Sequence, residues 1–372
     1  MPTVLLAGAS VQDSVDETLL TVFHSALPEW RIATLGGGPS VAIATDGVRV
    51  PRARGRRGLR RAVLDADAVV LSGGTVFTTL HPSTGRPAHD PLTGALLFAS
   101  GGQATGKPVA MLGVGAGTLP DARARWLARA LVRRADLLVL RDEESAHKLA
   151  AIGAPIPFRV GADPAWTLVD QAPLAPRDRE GVVVALDHVP GDSSLADRLA
   201  TGLRPLLACG MKMELQTWRD GDPTTRSSAL ASAVADRLEG RVEVTAPPAN
   251  VVDARVRLAG TRLAICLSSY AMIAAAAAGT PVVAVTRESK LAGLARRLQQ
   301  PAVCVNTDPA TLATTVRSGL DGQPASPSAV HAEIARAAEG FRLLRLLLNH
   351  GITDELDGFG SLSLVPEPWT AR

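Results

Sequence analysis

Aromatic residues make up only 3% of this 372-residue chain, and tyrosine and lysine are especially scarce. An aromatic interior is excluded, so Ala, Leu and Val must fill the core. Cysteine is sparse as well. Cys209, Cys266 and Cys304 are odd in number and widely spaced, which offers neither a disulfide framework nor a CxxC metal site and suits a reducing compartment. No uninterrupted apolar run reaches about 18 residues, so no membrane-spanning helix is expected. The start, MPTVLLAGAS, lacks the basic segment of a secretory signal. A cytosolic chain is the reading. None of the histidines, His24, His81, His89, His147, His188, His331 and His350, falls in an HxxxH or HExxH spacing, so no metal site is expected. No GxSxG or Cys/His nucleophile pattern stands out. A net charge of +3 and a pI near 9.0 are too mild to indicate a nucleic-acid partner.

What is present is an ordinary globular composition, 46% hydrophobic and 20% charged, over a length that favours two domains. Short apolar runs alternate with longer amphipathic segments, the pattern of βαβ units and a parallel sheet. In the first half the runs predict strands over 3–9, 30–35, 67–72, 108–114, 136–140 and 157–162. Helical patterns occupy 14–27, 56–65, 91–104, 119–134 and 143–151. The polar, proline-containing stretch DQAPLAPRDRE (170–180) reads as a linker. The cycle then restarts, with strands expected over 181–186, 211–217, 241–244, 262–267, 281–285 and 302–306. A long amphipathic segment from Ala329 to Leu348 follows, and the residues from Gly351 carry no regular pattern. The chain is therefore expected to be α/β, with two Rossmann-like doubly wound domains, 1–169 and 181–325, a cleft between them, and a C-terminal helix and tail over 326–372.

Ligands of open α/β sheets lie beyond the carboxyl ends of strands, which directs attention to the strand exits. Ser72-Gly73-Gly74-Thr75 follows one strand and Gly113-Val114-Gly115-Ala116-Gly117 another. Glycine there serves either a tight turn or the close approach of a ligand, with free amides for an anion. Neither segment is a complete GxGxxG with an acidic ribose partner. The strand of LLVLRDEESAHKLAAIG ends at Arg141-Asp142. Arg141 can clamp a carboxylate or phosphate, or form a structural ion pair with Asp142, while Ser145 or the acidic residues cap the helix. Asp163, in GADPAWTL, is either a cap or a cleft carboxylate. The segment from Cys266 to Lys290, CLSSYAMIAAAAAGTPVVAVTRESK, reads as strand end, polar turn, small-residue helix, turn, strand and lysine, and places Ser268, Ser269 and Tyr270 at one ligand edge with Lys290 just past the next.

The order of these blocks, Gly-Gly-Thr, GKPVAMLGVGAGTLP, LRDEESAHKLAAIG, VGADPAWTL and the alanine-rich block ending at Lys290, resembles the polysaccharide pyruvyl transferase family over roughly residues 3–318. The resemblance implies a GT-B-like transferase. It would move the enolpyruvyl group of phosphoenolpyruvate, used as donor substrate without a cofactor, to two hydroxyls of a sugar on a cell-surface polysaccharide precursor, forming a pyruvate ketal. Arg141 and Lys290 match cationic positions of the family, Tyr270 falls where the family carries histidine, and Ser268 where it carries arginine. Gly73, Gly74, Gly115, Asp163, Ser268 and Ser269 are the expected substrate-binding residues, and Tyr270, Lys290 and Arg141 the catalytic ones. A phenol, with an ordinary pKa of about 10, is a poorer acid at neutral pH than an imidazole. His188 is either a substitute from a neighbouring strand end or an exposed loop histidine.

Two other readings fit the same residues. One is a catalytically impaired homologue that binds a sugar or a partner, suggested by Tyr270 and Ser268. The other is a GT-B glycosyltransferase using a nucleotide sugar, for which Glu288 is the nearby acidic candidate for ribose. Because the family's acceptor is often lipid-linked, the arginine run from Arg52 to Arg61 is read either as a contact with the inner face of the membrane or as a solvated helix start.

Overall fold

In the computed structural model, the apolar runs form twelve strands among the described residues and the amphipathic segments between them form helices. The structure describes residues 1–8, 17–34, 55–154, 158–169, 179–187, 194–218, 226–286 and 289–350, without the side chains at 17, 55–57, 83, 226–227 and 289–290. The chain divides into two compact units, Met1–Pro164 with Ala335–Arg372, and Ala165–Ile334.

The first unit holds β1 (Thr3–Ala7), β2 (Arg31–Thr34), β3 (Ala68–Ser72), β4 (Val109–Val114), β5 (Leu137–Leu140) and β6 (Arg159–Val160), connected through α1 (Glu17–Ala26), α2 (Gly55–Asp65), α3 (Asp90–Ala104), α4 (Ala122–Val132) and α5 (Glu143–Ala151). All strands are parallel, in the order β2-β1-β3-β4-β5-β6. Helices cover both faces of such a sheet, which is why β3, β4 and β5 are buried at every residue and read as continuous apolar runs. Val63 of α2, Phe98 of α3 and Leu127 and Leu131 of α4 join one core with Leu5, Val69, Leu71 and Met111 of the sheet. Phe23 of α1 meets Phe341 edge-to-face at 5.2 Å.

The second unit holds β7 (Glu180–Leu186), β8 (Met213–Thr217), β9 (Glu243–Thr245), β10 (Thr261–Cys266), β11 (Val282–Thr286) and β12 (Ala302–Cys304), with α6 (Leu195–Ala208), α7 (Arg226–Arg237), α8 (Val251–Leu258), α9 (Ser269–Ala277), α10 (Ser289–Arg297) and α11 (Pro309–Leu320). The sheet is again parallel, in the order β12-β11-β10-β7-β8-β9. Helix α12 (Pro327–His350) begins in this unit, and its residues from Ala335 onward belong to the first.

Each expected strand is present. The runs over 157–162 and 302–306 contract to Arg159–Val160 and Ala302–Cys304. Both end strands lie at a sheet edge with one neighbour only, and a short edge exposes few unpaired backbone groups. Most of the expected linker, 170–178, and the residues from Gly351 lie outside the described residues.

Strand order locates the ligand edges. Chain order reverses between β1 and β3 in the first sheet and between β7 and β10 in the second, and crevices form at the carboxyl ends of strands that flank such a reversal. Gly73-Gly74 directly follows β3. Ser268 follows β10 by one residue.

Candidate functional site

In the first unit the loops leaving β3 and β4 are zipped together by backbone hydrogen bonds. The amide of Gly115 donates to the carbonyl of Gly74 at 3.0 Å, that of Phe77 to Gly115 at 3.1 Å, and that of Gly117 to Phe77 at 2.9 Å. Gly73 and Gly74 both adopt left-handed backbone, with φ of 71° and 62°, which glycine alone enters without strain. The amides of Gly73, Gly115 and Gly117 thus serve the protein's own carbonyls. Of the two readings of these glycines, close backbone packing is the one the geometry shows at those three amides.

Arg141 leaves the end of β5 and lies over this zipper, buried. A Cβ on Gly115 would sit 2.2 Å from Arg141 Nη2, so only glycine leaves room for the guanidinium. Arg141 Nε donates to Asp142 Oδ2 at 3.4 Å, and Nη1 lies 3.8 Å from Asp163 Oδ2. The ion-paired reading of Arg141 is the observed one, with a second carboxylate added. Asp142 also caps α5, its Oδ1 accepting from the Ser145 amide at 2.7 Å and the Ser145 hydroxyl at 2.6 Å. Ser145 Oγ in turn accepts from the Ala116 amide at 2.8 Å. The cap, the cation and the glycine zipper are therefore one network. Arg141 is thus already engaged by two carboxylates, which makes it no ready anion clamp. Gly73, Gly74, Gly115, Arg141 and Asp163 are all brought together here, while the bridging role of Ser145 was missed by the sequence reading. Its signal was the Asp-x-x-Ser spacing of a helix cap, 142 to 145.

The second unit presents a different kind of edge. Ser268 is the N-cap residue of α9, with extended backbone and no capping hydrogen bond from its side chain. It is 5% exposed, and its hydroxyl has no hydrogen-bond partner among the described residues. Among the described residues the amides of Ser269 and Ala271, in the first turn, are also without an acceptor; the first helical bond to the cap carbonyl is that of Met272 to Ser268 at 3.2 Å. Such a helix end carries partial positive charge and several orphan donors, and it suits an anion. Ser269 and Tyr270 are half-buried beside it. Tyr270 is the chain's single tyrosine.

The alanine-rich sequence of α9 explains how it holds its place. Ala271, Met272, Ile273, Ala274, Ala275 and Ala276 are all buried, and small side chains permit close packing. Its C-terminal end turns through Gly279 at φ 70°, and Arg255 of α8 donates to the Ala277 carbonyl at 3.3 Å, a cation placed at the negative end of the helix. Thr280 Oγ1 donates to the Leu258 carbonyl at 2.7 Å and ties the turn to α8. At the end of β10, burial pushes the Cys266 thiol far above its ordinary value, so it stays protonated and unreactive.

Lys290 lies in the first turn of α10, which follows β11, the neighbour of β10. Its side chain is outside the described residues, as are His188, Glu288, Arg52 and Arg54. Arg141 and Tyr270 belong to different units. Among the described residues no group of three His, Cys, Asp or Glu side chains could hold a metal ion.

The family model "Polysaccharide pyruvyl transferase" matches residues 25–215, more than half of the chain. The chain belongs to the polysaccharide pyruvyl transferase family. That match covers the glycine zipper, Arg141 and Asp163 and stops before α9. No curated protein matches the chain in sequence. Among solved structures, the fold is similar to S. aureus MnaA in a co-structure with UDP, with TM-score 0.62 and 11% identity over 95% of this chain and 98% of that one. It is similar to UDP-N-acetylglucosamine 2-epimerase from Rickettsia bellii, with TM-score 0.62 and 10% identity over 97% and 99%. The UDP-GlcNAc 2-epimerase from Methanocaldococcus jannaschii, in complex with UDP-GlcNAc and UDP, gives 0.59 and 12% over 93% and 99%. At these identities the likeness shows the fold, which is GT-B. A polysaccharide-modifying transferase is the activity class that membership supports.

Proposed function

We propose that this member is a pyruvyl transferase that moves the enolpyruvyl group of phosphoenolpyruvate to a saccharide of a cell-surface polysaccharide precursor. The observation that carries the proposal is the open N-terminal end of α9, where the Ser268 hydroxyl and the amides of Ser269 and Ala271 await an acceptor. A serine and a helix end take the place of the arginine that the family resemblance leads one to expect at 268. They supply hydrogen-bond donors and partial charge to a small anion without a fixed cation.

The chemistry needs a proton for C3 of phosphoenolpyruvate as C2 becomes cation-like. Tyr270, one residue past the first helical position, is the donor in this reading. One sugar hydroxyl adds to C2 with loss of its proton. Phosphate then leaves as the second hydroxyl adds, and the proton of that hydroxyl goes to the departing phosphate, so that phosphoenolpyruvate and a diol become a cyclic ketal and inorganic phosphate. Lys290 is assigned to the donor's negative charge. Arg141, already facing Asp142 and Asp163, is assigned to ordering the glycine loops. No cofactor is required by this sequence of bonds.

The same helix end would also accept a nucleotide diphosphate, and a glycosyltransferase using a nucleotide sugar is the second reading. Thermal unfolding distinguishes them, because a ligand that binds only the native state raises its stability. Phosphoenolpyruvate should raise the melting temperature, and Ser268→Ala should weaken its binding about tenfold to a hundredfold, the effect of losing one hydrogen bond to a charged group. A shift with UDP and none with phosphoenolpyruvate would replace pyruvyl transfer by the nucleotide-sugar reading. A shift with neither would favour an impaired homologue.

A further inference from the structure

Helices α2, α3 and α4 lie side by side on one face of the first sheet. Gly101 of α3 brings its Cβ position within 3.5 Å of Val63 in α2, and Arg134, just after α4, donates from Nε to Ser100 Oγ of α3 at 3.3 Å. Helices in such contact run about 8–10 Å apart. Their inward sides fill the core, yet each also presents one large apolar side chain to solvent. Leu64 is 52% exposed, Leu97 51% and Trp126 55%. Six large hydrophobic residues are exposed among the described residues, and half of them fall on these three consecutive helices.

Arginine predominates among the charges around them, although Asp121, the N-cap of α4, is also exposed and faces His89. Arg60 and Arg61 precede Leu64 by one helical turn, while Arg123 and Arg133 stand one turn before and two turns after Trp126; all four are exposed. From 55 to 65, 90 to 104 and 122 to 134 the sequence holds nine arginines and two aspartates, Asp65 and Asp90. Those two are already paired, Asp65 with Arg61 at 3.6 Å and Asp90 with Arg86. The outer side of α3 between the basic helices carries Leu97 and small residues.

We propose that the outer face of α2, α3 and α4 docks the protein on an anionic phospholipid surface, with Trp126 among the headgroups and the arginines against lipid phosphates. Indole is apolar in body and polar at its N–H, which favours the water–lipid boundary, and arginines near an anionic leaflet add attraction for each charge. Duplex nucleic acid would use the arginines but has no place for Leu64 and Leu97, whereas an acyl boundary has. No helix among the described residues is long and apolar enough to cross a membrane, so the contact is one of surface. Arg60 and Arg61, the described end of the arginine run noted in the sequence, supply one edge of this face, and Trp126 and Leu97 extend it. The proposal does not rest on the chemistry proposed above, because binding alone reads it.

The test uses the full-length protein sedimented with phosphatidylcholine vesicles, with and without phosphatidylglycerol, at low and high salt. Partition into the pellet should require phosphatidylglycerol and fall with salt. Arg123→Ala and Arg133→Ala should each lower the partition coefficient about fivefold, and Trp126→Ala about tenfold, with native melting curves. In a Trp369→Phe background, Trp126→Phe should remove a vesicle-dependent blue shift of tryptophan emission, since Trp30, Trp166 and Trp218 are buried. Equal partition into neutral and anionic vesicles would overturn the proposal, as would absence of binding at low salt or binding that survives Trp126→Ala unchanged. Equal affinity for a duplex oligonucleotide, insensitive to Trp126, would overturn it too and mark the face as a general polyanion surface.

Discussion

Gly115 and Arg141 occupy one space: the guanidinium lies where a Cβ on Gly115 would stand, 2.2 Å from Nη2. Gly115→Ala should therefore expel Arg141 from between Asp142 and Asp163 and deprive two buried carboxylates of their shared guanidinium. The expected loss is about 3 kcal/mol, near that of Arg141→Met at about 3–5 kcal/mol. Chemical denaturation of both single variants and of Gly115→Ala combined with Arg141→Met checks the link. The double variant should lose less than the sum of the singles, because both act on the same contact.

Glu333, 1% exposed at its side chain, receives Arg297 Nε at 2.7 Å and Nη2 at 3.4 Å, so α10 is fastened to the start of α12 through a buried fork. Arg297→Met should lower stability by about 3 kcal/mol, and Arg297→Lys by less, since charge is kept and the fork is lost. The midpoints of urea unfolding measure both.

Cys266 is buried at the end of β10, whereas Cys209 and Cys304 are exposed. A thiol reagent at neutral pH should label Cys209 and Cys304 promptly and reach Cys266 only on unfolding, with mass spectrometry identifying each site. Prompt labelling of Cys266 in the native protein would contradict the packing of α9 against β10.

The carboxyl of Asp308 is held below its ordinary value, first by the Thr311 hydroxyl, then by the Thr311 amide and further backbone amides at the start of α11. A depressed carboxyl contributes stability above its unfolded pKa, about 3.9, and loses that contribution as pH falls through the lower native value. The melting-temperature difference between wild type and Asp308→Asn should be constant above about pH 5 and shrink below about pH 4. A difference independent of pH down to pH 2 would contradict this assignment.

The sequence made the scaffold legible because both sheets are parallel and covered on two faces. Runs such as AVVL and VVAV stay apolar throughout, and the helices between them keep their own period. The strand exits were legible for the same reason. Side-chain pairing was not. Whether Arg141 met a ligand or a carboxylate depended on Asp163, which follows β6 and lies 22 residues along the chain, and on a zipper of backbone bonds that leaves no mark beyond glycine. Ser268 shows the converse. Its residue type is common at helix starts, and only the absence of a capping bond in the folded protein separates it from an ordinary cap.

Turnover is the most direct test of pyruvyl transfer at the α9 edge. Purified protein, phosphoenolpyruvate and saccharide acceptors bearing N-acetylmannosamine or galactose would be followed by phosphate release together with the mass of the acceptor. The account predicts acceptor-dependent phosphate release with a matching ketal adduct, abolished by Tyr270→Phe and by Lys290→Ala and reduced by Ser268→Ala. Adduct formation that proceeds at the wild-type rate in Tyr270→Phe and Lys290→Ala would contradict the site, and phosphate release without any adduct would contradict the reaction.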